Sequence, residues 1–235
     1  MGNYVYLAGS SLLCLCSAAM LIGRRDLVSL TLLYGSIGGF VQVVTSFLYV
    51  RDYWSPPTVL GTAVSVEDFL FGFGVTAYPF LVYPVITRKR FAPSWHRNHL
   101  GTYLGFGLIS AVTLFGGTLV FGANSMVLSL ALLALFTTAV CVMRRDLVAS
   151  AVFAIVFVTT SVTIMYVAMF NLVSPDWWNN HWLLVDSSLD LRILGDVPLL
   201  EVLCYITWSG FAATGHPFMF GEVFVGRLDA LPAES

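Results

Sequence analysis

Charge is what this chain of 235 residues has least of. Only 10% of its residues are charged and 58% are hydrophobic, with a mean hydropathy of +0.85, whereas a soluble domain carries about 25% charged residues. That shortage excludes a water-soluble globular domain. The net charge of -2 and the lack of any block of like charges exclude nucleic acid as a partner. There is one lysine, Lys89, outside the apolar runs, which excludes a chromophore held as a Schiff base in the last of them. The four cysteines, Cys14, Cys16, Cys141 and Cys204, form no CxxC pair and read as packing residues. The histidines His96, His99, His181 and His216 are scattered, with no HExxH, so no metal is expected. No glycine-rich phosphate loop follows a strand, and no cofactor is expected either. Met1-Gly2-Asn3 lacks the basic leader of a cleaved signal, so the first apolar run reads as a retained helix.

What is there in quantity is long apolar sequence. Seven runs approach the roughly 20 helical residues that cross a hydrocarbon core: Tyr4–Ile22, Leu27–Val50, Phe69–Ile86, Leu100–Phe121, Met126–Met143, Leu147–Leu172 and Val197–Phe218. Continuous apolar runs must satisfy their own backbone groups, so the predicted fold is an all-α polytopic membrane bundle of seven helices. Arg24 and Arg25, then Arg88, Lys89, Arg90 and Arg97, then Arg144 and Arg145 follow the first, third and fifth runs. The positive-inside rule then places the amino terminus outside a cell membrane and the carboxyl terminus, with Arg227, in the cytoplasm.

Arg-Arg-Asp-Leu occurs twice, at 24–27 and at 144–147, 120 residues apart. Each copy leads into an apolar run, a Trp-containing polar stretch, and Leu-Gly with a glutamate six residues after the glycine: Leu60, Gly61 and Glu67, then Leu194, Gly195 and Glu201. The chain therefore divides into a three-helix repeat over 1–90, a connecting helix over 91–124, a second repeat over 125–221 and a cytoplasmic tail over 222–235. Equivalent runs lie four apart, an even number, so the repeat is parallel rather than inverted. The second external loop, Pro175 to Asp196, is the longer one and is suited to cap the bundle mouth. Trp177, Trp178 and Trp182 within it read as an interfacial aromatic belt. Gly35, Gly38 and Gly39, and Gly101, Gly105 and Gly107, are expected to allow close helix approach.

Glu67, Asp68 and Glu201 stand at or just inside the outer ends of apolar runs. Away from water the neutral, protonated form of an acid is the cheaper one, so such groups can hold a proton for chemistry. The plainer explanation is that acids in a first helical turn are stabilised by the helix dipole whatever the function.

Ser65-Val66-Glu67-Asp68-Phe69-Leu70-Phe71 and Pro198-Leu199-Leu200-Glu201-Val202-Leu203 resemble the Pro-x-Glu-Glu/Asp motif, followed by a Leu/Phe-rich helix, of the bacterial, archaeal and fungal type of lycopene cyclase domain. Fused members of that family share the seven-span, two-repeat layout, which implies no obligatory partner subunit. The resemblance implies acid-catalysed, redox-neutral cyclisation of a linear polyene end group, with the polyene or a lipid as substrate and membrane lipids as surroundings. It assigns Glu67 as the acid, Asp68 as its tuning neighbour and Glu201 as second acid or final base. Tyr53, Trp54, Phe69 and Phe73 would stabilise the cation. Two departures stand out: Ser65 replaces the motif proline, and Leu200 replaces the first acid of the second half. The alternative is a non-catalytic seven-helix protein that binds a carotenoid or lipid in a degenerate cyclase-like site.

Overall fold

The computed structural model describes residues 4–226; most of the tail, Arg227 included, lies outside the described residues. Eight α-helices are found there: α1 Val5–Met20, α2 Val28–Asp52, α3 Val66–Ile86, α4 Leu100–Phe121, α5 Ser125–Met143, α6 Val148–Val167, the short α7 Trp177–His181 and α8 Leu199–Phe220. One-turn 3-10 helices at Arg25–Leu27 and Arg145–Leu147 lead into α2 and α6. α6 continues as π-helix over Ala168–Val173. Strand pairing is marginal: β1 Lys89–Ala92 lies antiparallel to β4 Val223–Gly226, and β2 Arg192–Ile193 to β3 Val197–Pro198.

Five of these segments are long and apolar enough to cross a membrane: Arg25–Asp52, Val66–Ile86, Leu100–Phe121, Ser125–Met143 and Arg145–Val173. α1 has 16 residues, about 24 Å at 1.5 Å per residue. α8 has length enough at 22 residues but is less apolar, because its buried positions include Glu201, Tyr205, Ser209, Thr214 and His216. α4 shows the opposite distribution, with Leu104, Leu108, Val112, Leu119 and Phe121 all exposed. A bundle that turns the apolar side chains of α4 outward and its polar residues inward is arranged for an apolar surrounding.

α3 and α8 pack against each other at the centre, α1 and α2 flank α3, and α5 and α6 flank α8. Glycine makes the closest approach possible. A Cβ on Gly38 would sit 2.0 Å from Thr76 Oγ1, and one on Gly72 would sit 2.3 Å from Gln42 Cβ, so α2 and α3 meet almost backbone to backbone. Gly101, Gly105 and Gly107 differ from expectation: none has a neighbour within 4 Å of a built Cβ, since α4 sits at the bundle edge.

The two Arg-Arg-Asp-Leu copies make the same structure. Arg24 Nε and Nη2 donate to Asp26 at 2.9 and 2.8 Å, and Nη1 and Nη2 donate to the carbonyls of Pro84 and Lys89 at 2.6 and 2.8 Å. Arg144 donates to Asp146 at 2.8 and 2.7 Å and to the carbonyls of Pro217 and Glu222 at 3.2 and 2.7 Å. The last carbonyls of a helix lack intrahelical partners, and each arginine supplies a cation and donors to the end of a neighbouring central helix, α3 or α8. The first arginine of each copy is thus a helix cap, while Arg25 and Arg145 beside them stay exposed. The side chain of Arg144 is 2% exposed and that of Arg24 17%. Arg144→Ala is therefore expected to cost about 2 to 3 kcal/mol and Arg24→Ala less, read as melting temperatures in detergent; equal losses, or none, would contradict this.

Candidate functional site

Opposite the arginine end, the heads of α3 and α8 carry the candidate acids. In α3 the residue before the helix is Ser65, and Asp68 is the third residue within it. Its Oδ2 reaches back to accept the Ser65 N–H at 2.8 Å, as an acid at that position commonly does. Its Oδ1 accepts from Tyr6 of α1 at 2.9 Å and Ser46 of α2 at 2.7 Å. Asp68 therefore ties three helices together and is itself buried.

Glu201 holds the same third position in α8, but the residue before that helix is Pro198, which has no N–H to offer. The carboxyl therefore cannot make the bond that Asp68 makes to Ser65, and it turns into the bundle. It is 4% exposed; Oε1 accepts from the Tyr53 hydroxyl and Oε2 from the Tyr166 hydroxyl at 3.1 Å. Tyr166 also meets the hydroxyl of Tyr205 at 2.9 Å, one turn along α8 from Glu201. Position for position, Glu201 matches Asp68, as the motif alignment has it, and not Glu67, as the Leu-Gly spacing has it. That spacing misleads by one residue because the turns before the two helices differ.

Glu67 lies apart from this group. Its Oε1 accepts the Val59 N–H at 2.6 Å, so it anchors the loop between α2 and α3. Its Oε2 is buried with no partner among the described residues. Phe69 and Phe73 also face elsewhere: they fill the space over Gly39 and Gly35 of α2, and Phe69 packs edge-on to Phe40. Tyr53 and Trp54 are the two aromatic candidates that the structure brings to Glu201.

The long loop closes over them. Leu183 N–H donates to the Tyr53 carbonyl and Ser55 N–H to the His181 carbonyl, both at 2.9 Å. Trp177, Trp178 and Trp182 are 2%, 1% and 3% exposed, so they are packing residues of the cap rather than a belt at the interface. Ring contacts run from Tyr6 to Trp54 at 4.8 Å, from Trp54 to Trp178 at 6.2 Å, and from Tyr53 to Trp182 at 4.8 Å. Burial holds the His181 imidazole of the cap below its ordinary pKa. Asp52 fixes the next helix to the same end, accepting the Ser125 N–H at 2.7 Å at the head of α5.

Between α2, α5 and α8 a crevice reaches Glu201, lined by Tyr49, Tyr53, Trp54, Ser129, Tyr205 and Trp208. Its free volume is about 40 Å³, little more than one water molecule's share of the liquid. The arrangement can present one protonatable oxygen pair, held by hydroxyls, to an apolar ligand among aromatic faces. No group of three or more metal-ligating side chains is found among the described residues. Tyr166 and Tyr205 were not singled out from the sequence, although a tyrosine one turn from a glutamate inside an apolar run was the available signal.

Removing a hydroxyl from Glu201 leaves a buried acceptor short of a donor, which costs about 1 to 3 kcal/mol. In a Tyr53→Phe, Glu201→Gln double-mutant cycle on thermal stability the pair is expected to couple by at least about 1 kcal/mol; independent, additive losses would disprove the contact. No family model, no curated protein and no solved structure matches this chain.

Proposed function

We propose that this chain is a seven-span membrane enzyme of two related halves, similar to the lycopene cyclase domain, that closes the end of a linear polyene into a ring without redox change. The observation that carries the reading is Glu201: a buried carboxyl at a helix head whose capping role Pro198 removes, reached by an apolar, aromatic-lined crevice. Support for related halves comes from the matching caps of Arg24 and Arg144, and from Asp68 and Glu201 in matching helix positions. The exposed Arg25, Arg88, Arg97 and Arg145 at one end, against Asp176 and Asp186 near the other, favour the orientation with the capped mouth outside and the arginine end in the cytoplasm. Neither cofactor nor partner subunit is needed for this chemistry.

In the reaction, Glu201 protonates the terminal double bond of the polyene. The tertiary cation is attacked by the neighbouring double bond, a six-membered ring closes, and a proton leaves a ring carbon. The faces of Tyr53, Trp54 and Trp208 stabilise the passing positive charge by about 0.5 to 2 kcal/mol each. Glu67 serves the loop and not the proton, and Asp68 holds the first half's helices together.

The small free volume favours a second reading, in which the protein binds a polyene or lipid at its surface and catalyses nothing. Expression in a lycopene-accumulating bacterium, with pigments separated by chromatography, distinguishes the two. Cyclised product is expected from wild type, a fall of at least about 100-fold in Glu201→Gln, and retained product in Glu67→Gln. No ring product from well-expressed wild type would favour the binder.

A further inference from the structure

Cyclisation takes up one proton and releases one at each ring, so the acid must be reloaded after each turnover. The hydroxyls around Glu201 form a directed chain. Tyr166 donates to Glu201 Oε2 at 3.1 Å and meets Tyr205 at 2.9 Å. With the Tyr166 proton engaged by the carboxyl, the Tyr205 hydroxyl is the donor of the second bond. Tyr205 lines the crevice together with Glu201, one helical turn deeper. Tyr166 does not line it, and is 7% exposed. Tyr53, the other donor to Glu201, touches Oε1 and has, among the described residues, no onward hydroxyl bond that would join it to this chain.

We propose that Tyr205 and Tyr166 form a return relay: the proton lost from the cyclised cation enters at Tyr205 and is handed back to Glu201 through Tyr166. This rests on the cyclase reading. The balance is closed. The ring carbon gives its proton to the Tyr205 oxygen while Tyr205 passes its own to Tyr166, and Tyr166 passes its own to the Glu201 carboxylate. The two tyrosines end neutral as they began, Glu201 is again an acid, and the electron pair of the broken C–H bond becomes the new double bond. Tyr205 meets the substrate, whereas Tyr166 acts only through its neighbours. The relay also gives a reason for a second hydroxyl at a carboxyl that Tyr53 already holds.

A return relay leaves an isotopic trace that a structural role does not. The test is ring formation by purified protein in D2O, with product deuterium counted by mass spectrometry in wild type, Tyr166→Phe and Tyr205→Phe. Wild type, reloading partly from substrate protons, is expected to deliver clearly less than one deuterium per ring. In both variants the acid reloads from solvent, so deuterium rises to about one per ring and steady-state turnover slows by about tenfold or more; the first turnover is preserved in Tyr166→Phe, whereas Tyr205→Phe, which lacks the hydroxyl that takes the ring proton, is slow from the first turnover. Equal deuterium in all three proteins would overturn the relay, and so would a Tyr166→Phe protein that closes no ring even in the first turnover, since that tyrosine would then belong to the acid step. Absence of product from wild type itself overturns the cyclase reading and the relay with it; a normal wild type with unchanged variants overturns the relay alone.

Discussion

The N–H that Pro198 lacks shapes the end of this protein opposite Arg24 and Arg144. At the head of α3 an ordinary backbone amide at Ser65 engages Asp68, and that carboxyl becomes part of the helix start. At the head of α8 that amide is missing, so the carboxyl of Glu201, in the same helical position, cannot make the bond that Asp68 makes, and its donors lie inside the bundle. It finds them on residues far away in sequence, Tyr53 and Tyr166. Each of those tyrosines is then held by something else: Tyr53 by the cap through Leu183, and Tyr166 by Trp178 and Tyr205. The closed cap and its three buried tryptophans surround the polar group that this one proline turned inward.

The same need for internal partners operates at the other end. Inside an apolar bundle the last carbonyls of α3 and α8 have little water to turn to, and Arg24 and Arg144 meet them with charged donors. Central helices are thus tied at both ends by polar contacts, which Asp68 and Asp52 extend outward to α1, α2 and α5. This distribution explains why α8, central and rich in polar buried positions, is less apolar than α4 at the edge.

Much of the helical layout was legible in the sequence, because unbroken apolar runs have one common solution. The run Leu100–Phe121 coincides with α4, and Phe69–Ile86 differs from α3 only by the polar first turn that holds Glu67 and Asp68. The repeated arginines were legible as landmarks; their capping was not, since it depends on where Pro84 and Pro217 come to rest. Apolar composition could not say which faces are inside, so Phe69 and Phe73 looked equivalent to Trp54 although they fill the α2 side of α3. The tryptophans of the long loop suggested an interface by composition, and only the pairing of residues 53–55 with 181–183 buries them. Tyr166 escaped notice because its meaning lies in a partner 35 residues away.

A structure of the Glu201→Gln protein with a bound linear polyene bears most directly on Glu201 as the proton donor. The end of the polyene is expected in the crevice between α2, α5 and α8, its terminal double bond against the side chain of residue 201, with the rings of Tyr53 and Trp54 moved aside from their present positions. A polyene lying instead along the exposed groove of α6, over Val152, Phe153 and Val156, with the crevice closed as it is now, would contradict that role.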